Sequence, residues 1–150
     1  MTTTGAATTG GDLFLTILMI VKDQDRSRTF YQDVMGGEVL RDRDPAIIRF
    51  YNSNIILNTG GGPTNDKPGV TMAPPKDLDT VSIAINIRVP DARAIYHTWR
   101  SRGAQFLTPP QNRGGEIRCY LRDPDGYLIE VGQTTRQEPS APASPTRSQQ

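Results

Sequence analysis

Residues 118–131 read Arg118-Cys119-Tyr120-Leu121-Arg122-Asp123-Pro124-Asp125-Gly126-Tyr127-Leu128-Ile129-Glu130-Val131, and this stretch decides the fold. Apolar and polar residues alternate up to Arg122. The tetrapeptide Asp123-Pro124-Asp125-Gly126 then supplies a turn with Pro second and Gly fourth, and a second β-type run follows. The segment reads as a hairpin. Glu130 lies inside the second run, between Ile129 and Val131. A half-buried strand places only one side-chain parity in water, so Glu130 either faces solvent or lines a polar cavity.

Working outward, the hairpin strands are expected at Glu116–Arg122 and Tyr127–Gly132. Before them come a loop over Pro109–Gly115 and a short strand at Gln105–Thr108. A helix starts at Pro90-Asp91, runs to about Arg102 and is closed by Gly103, with Ala94, Ile95, Trp99 and Thr98 as its buried face. A strand at Val81–Val89 precedes it. The same order appears in the first half. A strand at Leu13–Val21 leads to a helix over Gln24–Met35, capped by Asp23 or Asp25, ended by Gly36-Gly37, and apolar at Phe30, Tyr31 and Val34. Strands at Glu38–Asp42, Ile47–Tyr51 and Asn54–Thr59 follow, the last two joined by an Asn52-Ser53 turn. Strand, helix and three strands thus occur twice, an internal duplication with a period of about seventy residues.

The joining stretch, 61–80, holds glycines and Pro63, Pro68, Pro74 and Pro75 with little periodicity and reads as a linker; its Val70-Thr71-Met72 patch suggests that part of it lies against the body. Residues 1–12 and 134–150 are small, polar or Pro/Ser/Gln-rich and are expected to be disordered. A chain of 150 residues with 35% hydrophobic content builds one core or two half-modules. The formal charge of +1 from 17 basic and 16 acidic residues argues against nucleic acid and anionic membranes as partners. Cys119 is the sole cysteine, which excludes an intrachain disulfide and makes a reducing cytoplasm the simplest location. The apolar run at 13–21 is far below the ~20 residues of a spanning helix.

Ile20-Val21-Lys22-Asp23, Ser27, Phe30-Tyr31 and Val34-Met35-Gly36-Gly37, followed by Val89-Pro90-Asp91, Arg102-Gly103-Ala104, Pro109-Pro110 and Arg122-Asp123-Pro124-Asp125-Gly126-Tyr127-Leu128-Ile129-Glu130, resemble the vicinal oxygen chelate superfamily of glyoxalases, bleomycin-resistance proteins and extradiol dioxygenases. The resemblance runs from about Leu13 to Gln133. It implies an α+β fold of two βαβββ modules (13–60 and 81–133) whose mixed sheets curl into a cup for a small molecule, with a homodimer as the usual assembly. It also implies that metal-dependent relatives hold a divalent ion with His, Glu or Gln ligands on the first, fourth, fifth and eighth strands. Here those positions carry Thr16, Ile56 (or Asn58 if the register slips), Ala84 and Glu130. One carboxylate makes a poor transition-metal site, so no metal and no cofactor are expected.

Strand parity selects the residues that face the cup. Val81, Ile83, Ile85, Ile87 and Val89 would pack on a helix, leaving Ser82, Ala84, Asn86 and Arg88 inward. Glu116, Arg118 and Tyr120 would face in from the seventh strand and Leu128 and Glu130 from the eighth. Thr16, Leu18 and Ile20 of the first strand and Ile56 and Asn58 of the fourth are the first-half counterparts, and the third strand reads either way, with Arg49 and Tyr51 as the favoured inward pair. The bland reading of Glu116 and Arg118 is an internal ion pair with a neighbouring strand, that of His97 a helix-surface residue, and that of Cys119 a small strand hydrophobe. Two functions survive. One is a metal-independent protein that binds a small organic ligand through Thr16, Tyr51, Asn58, Asn86, Arg88, Arg118 and Tyr120. The other is an enzyme that uses Glu130 and Glu116, either as ligands of an unusual metal site or as a general base.

Overall fold

The computed structural model describes residues 12–136; of the disordered tails expected at 1–12 and 134–150, residues 1–11 and 137–150 lie outside the described residues, whereas Thr134 belongs to a strand. The chain divides into two compact units, one up to Lys76 and one from Asp77. Each carries a mixed sheet and a helix, and together they give the α+β class with a strand-helix-strands order in each half.

In the first unit β1 (Thr16–Ile20), β2 (Glu38–Arg41), β3 (Ala46–Phe50) and β4 (Ser53–Asn58) pair in the order β1-β4-β3-β2, with β1 parallel to β4. The helix α1 (Gln24–Thr29) is capped by the Asp23 carboxylate, which accepts from the Arg26 amide at 3.1 Å and so satisfies one of the open donors of the first turn. It is not α-helical throughout its expected length. From Phe30 to Val34 it widens into a π-helical turn, closed by Met35 N donating to Phe30 O at 3.2 Å. Tyr31 in this turn is fully buried. Its hydroxyl lies 3.4 Å from Met19 Sδ and its ring packs edge-on against Phe30 and Phe50. Gly36 then takes a φ of +82°, the left-handed value that favours glycine after a helix.

Two boundaries differ from expectation for reasons of register. The two-residue turn between β3 and β4 is Tyr51-Asn52, not Asn52-Ser53, because Phe50 pairs with Ser53. That register keeps Ala46, Ile48 and Phe50 with Ile55 and Leu57 on the buried side, and a one-residue slip would turn them all to water. Likewise Leu13, Phe14 and Leu15 are exposed and precede β1. Its partner β4 begins at Ser53, and Thr16 already pairs with Asn54.

In the second unit β5 (Ile85–Arg88), β6 (Gln105–Phe106), β8 (Glu116–Arg122) and β9 (Leu128–Thr134) pair in the order β5-β9-β8-β6, and a further short strand β7 (Gln111–Asn112) pairs with β8 inside the expected loop. Here too β5 is shorter than expected. Ile85 pairs with Ile129, and earlier residues would run opposite the turn that precedes β9, so Val81 and Ile83 lie outside the strand and are exposed rather than buried as expected. Ser82 and Ala84 are therefore not strand residues. β9 conversely continues to Thr134, past the expected end at Gly132.

The helix α2 (Ala92–Ser101) is capped by Asp91, whose carboxylate accepts from Ala94 N at 3.0 Å. Its buried side chains are Ala92, Tyr96 and Trp99, one stripe at helical spacing; Ala94 and Thr98, expected in that face, are exposed. The β8–β9 turn is held from within. Asp123, 5% exposed, accepts from the Asp125 and Tyr127 amides at 3.0 and 2.8 Å, and Gly126 takes a φ of +90° against the Leu78 side chain.

Candidate functional site

One side of the second sheet is apolar. Cys119 and Leu121 of β8 and Ile129 and Val131 of β9 are buried, and α2 packs on both strands. Burial pushes the Cys119 thiol up to about 11, so it is a protonated strand hydrophobe at neutral pH. The alternate parity of β5, β8 and β9 carries Asn86, Arg88, Glu116, Arg118, Tyr120 and Glu130 on the opposite face. Six of the nine candidate site residues are therefore brought together by one sheet.

They form two hydrogen-bonded groups. Asn86, Glu130 and Tyr120 stand side by side on adjacent strands, since Glu130 pairs with Asn86 across β5–β9 and with Tyr120 across β8–β9. The Asn86 amide donates to one Glu130 oxygen at 2.6 Å and the Tyr120 hydroxyl to the other at 2.5 Å. Charge-assisted bonds of this length fix both donors and the acceptor. The bond to Glu130 is the main reason the Tyr120 phenol is raised above its usual pKa, with burial adding to it.

In the second group Glu116 is shared by two guanidinium groups, Arg88 at 3.1 Å and Arg118 at 3.0 Å. Arg88 also donates to Thr134 Oγ1 at 2.8 Å, and the Arg118 guanidinium stands 5.9 Å from the Tyr120 ring centroid. The bond from Arg88 is the largest cause holding the Glu116 carboxyl below its usual range; this partly exposed pair reaches across β9 from β5 and is not with a neighbouring strand as expected from the sequence. Gly132 makes the geometry possible. It lies between Arg88 on β5 and Arg118 on β8, and a Cβ there would stand 2.0 Å from the Arg88 guanidinium nitrogen. Arg88 thus crosses β9 through a gap that only glycine leaves.

A prediction follows for Gly132→Ala. The obstructing atom is the end of a flexible side chain, so Arg88 should swing away and the fold should survive. Loss of a partly exposed pair changes stability by less than about 1 kcal/mol. Arginine side-chain NMR should show the Arg88 signal shifted and broadened with the melting temperature nearly unchanged; an undisturbed Arg88 signal would contradict this role for Gly132.

The other three expected site residues belong to the first unit. Thr16 is half-buried on β1, beside Asn54 of β4. Asn58 ends β4, accepts from Gly60 N at 2.7 Å, and lines a pocket of about 400 Å³ with Leu18, Gly61, Thr64, Lys67 and Met72. Met72 is tied to Gly61 by two backbone bonds of 2.9 Å within the joining stretch and lines the same pocket as Leu18 of β1 and Asn58 of β4. Tyr51 is 62% exposed in the β3–β4 turn at a φ of +53°, so strand parity does not apply to it. Arg49 pairs with Glu38. Gly132 and Thr134 were not among the residues selected from the sequence; continuing the parity of Glu130 along β9 by steps of two would have found both.

The side chains do not fit a transition-metal ion held by several imidazoles or carboxylates. Thr16, Ile56 and Ala84 offer no such donor, and both Glu130 oxygens already accept hydrogen bonds. Among the described residues no three His, Cys, Asp or Glu side chains gather as a metal-holding group, and no helix is long and apolar enough to cross a membrane.

Residues 13–131 match the family model described as the glyoxalase/bleomycin resistance protein/dioxygenase superfamily. The chain is 29% identical over 123 residues to lactoylglutathione lyase GLX1 of Arabidopsis thaliana, covering 79% of this chain but 43% of that protein; it thus spans less than half the length of this relative. It is 27% identical over 131 residues to a probable lactoylglutathione lyase of Synechocystis, covering 82% of this chain and 97% of the relative. Among solved structures it resembles TnmS3, an antibiotic binding protein from Streptomyces sp. CB03234, with a TM-score of 0.60, 19% identity and 82% and 98% of the two chains covered. A glyoxalase/bleomycin resistance protein/dioxygenase from Alicyclobacillus acidocaldarius gives a TM-score of 0.64 at 16% identity, with 83% and 92% covered.

Proposed function

The chain belongs to the glyoxalase/bleomycin resistance protein/dioxygenase superfamily, and from that premise we propose that it binds a small organic molecule without the metal ion of its metal-dependent relatives. The observation that carries this reading is the Asn86–Glu130–Tyr120 group, in which both oxygens of the one family-position carboxylate are spent on neighbouring side chains. A carboxylate held in this way is a fixed acceptor beside a fixed aromatic ring. Such preorganised polar groups orient a ligand at little ordering cost. The Tyr120 ring, with Arg118 beside it, offers a stacking surface for a planar group. The homodimer expected from the resemblance is part of this reading.

A second reading is an enzyme that uses Glu130 and Glu116, and the names of the sequence relatives favour it. Thermal-shift titration and a lactoylglutathione lyase assay separate the two. The binding reading expects stabilisation by an organic ligand, about 2.7 kcal/mol at a hundred times its Kd. It also expects no stabilisation by nickel, zinc, manganese, iron(II) or magnesium that depends on Glu130, and no lyase turnover. A metal bound near one per chain, with a melting-temperature rise abolished by Glu130→Ala, would sink it and establish the enzyme reading.

A further inference from the structure

Beyond the Asn86–Glu130–Tyr120 group, the same sheet carries a second polar feature at the Thr134 end of β9. The β7–β8 turn, residues 113–115, is closed by Arg113 N donating to Glu116 O at 2.8 Å, and Gly114 sits at a φ of +82°. The turn is then clamped to the segment after β9. Gly115 O accepts from Thr135 N and Arg136 N at 3.0 and 3.2 Å, and the Arg136 guanidinium donates to Gly114 O at 2.8 Å. A pocket of about 310 Å³ opens there, lined by Arg88, Arg113, Gly114, Glu116, Thr134 and Arg136 among others.

The charge around this pocket does not balance. Three arginines line it against one glutamate, whose carboxylate is also shared with Arg118. Arg88 is held by Glu116 and Thr134 and passes through the Gly132 gap, while the Arg136 side chain is tied to the turn. Their positions are set before any ligand arrives, and planar guanidinium groups fixed in this way match the oxygens of a carboxylate or phosphate. A pocket with an excess of fixed cations attracts an anion.

We propose that this pocket is a binding site for an oxyanion, the carboxylate or phosphate of a small organic molecule, with Arg113 and Arg136 as the principal contacts and Arg88 as the positioned third. The inference rests on the reading of this sheet face as a ligand site and adds the chemical class of one end of the ligand. It uses residues of β5, the β7–β8 turn and the end of β9, distinct from Glu130 and its two partners.

The test uses the full chain and simple probes. Inorganic phosphate and, separately, succinate are titrated at low ionic strength, followed by arginine side-chain NMR and calorimetry. Saturable binding is expected for at least one probe, weakening as salt is added. It should fall about tenfold in Arg113→Gln and in Arg136→Gln, the loss expected for one charge-assisted contact, and stay unchanged in Arg41→Gln, an exposed residue of β2. Tighter binding of phosphate than of succinate assigns a phosphate group, and the reverse a carboxylate. Circular dichroism establishes that each variant is folded, and the second arginine variant serves if the first is not. Failure of both probes to saturate, or equal binding by wild type and both arginine variants, overturns the anion site. An organic ligand that binds through Glu130 while neither anion does would leave the proposed function standing and this inference refuted. Saturable, arginine-dependent anion binding in a protein that also holds one metal ion per chain through Glu130 would leave this inference standing and the proposed function refuted.

Discussion

Trp99→Ala is expected to lower the unfolding free energy of the second unit by about 3–5 kcal/mol, the usual cost of removing a buried tryptophan. The side chain is 2% exposed and projects from α2, which packs on β6, β8 and β9. Truncation leaves a void under the strands β8 and β9, which carry Arg118, Tyr120 and Glu130 on their other face. Because a domain's total stability is about 5–15 kcal/mol, the variant should melt far below the wild type. Urea unfolding followed by circular dichroism measures it, since the chain has no other tryptophan to serve as a fluorescence probe. Thr98→Ala, one residue away but exposed, should stay within about 0.5 kcal/mol of wild type. Equal effects of the two substitutions would show that the buried stripe of α2 is misassigned.

That pair of variants also marks where sequence pattern succeeds and fails. The motifs at Asp23, Asp91 and 122–126 place caps and a turn, because each is fixed by chemistry within a few residues. β8 was legible end to end, since its alternation is unbroken from Glu116 to Arg122. In α2 the buried stripe of Ala92, Tyr96 and Trp99 was legible only at Trp99, Ile95 being half-buried. Tyr96 was passed over for Ala94 and Thr98 because an arginine-rich helix offers more than one weakly apolar face, and the sheet beneath decides among them. Strand ends were the least legible. Leu13 to Leu15, Val81 and Ile83 are β-formers by composition, yet a strand lasts only as long as its partner does, and their partners begin later. Strand parity nevertheless transferred in β5, β8 and β9. It placed Asn86, Arg88, Glu116, Arg118, Tyr120 and Glu130 on one face and failed for Tyr51, where the chain turns. What parity cannot give is the clamp between residues 113–115 and 134–136 or the gap at Gly132, because both depend on which strands become neighbours.

Glu130→Ala is expected to have the largest effect on the site itself. The substitution removes the acceptor of both the Asn86 and Tyr120 donors. Water can reach these groups, so the stability cost should sit at the low end for charged hydrogen bonds, about 1–2 kcal/mol. Binding of an organic ligand should weaken by at least about tenfold, as two contact groups lose their orientation. The phenol gives a direct readout. Glu130 raises the Tyr120 pKa, so the folded state holds that proton more tightly than the unfolded chain. This stabilisation is complete below the ordinary tyrosine value of about 10 and is lost as pH rises through the folded value. Tyr120 in Glu130→Ala should therefore ionise at lower pH than in wild type, as followed by tyrosine carbon NMR, and the variant should lose less stability across the alkaline window. An unchanged Tyr120 titration would mean that the bond does not persist in solution. Glu130→Gln then separates position from charge. Its carbonyl can still accept from Tyr120, and Asn86 can turn its own oxygen toward the new amide, so both contacts survive without the carboxylate. Ligand binding close to wild type in Glu130→Gln but lost in Glu130→Ala identifies Glu130 as a group that orients its neighbours, as a binding protein requires. Turnover present in wild type and lost in both variants would instead require the carboxylate's charge, and the face would then be an active site.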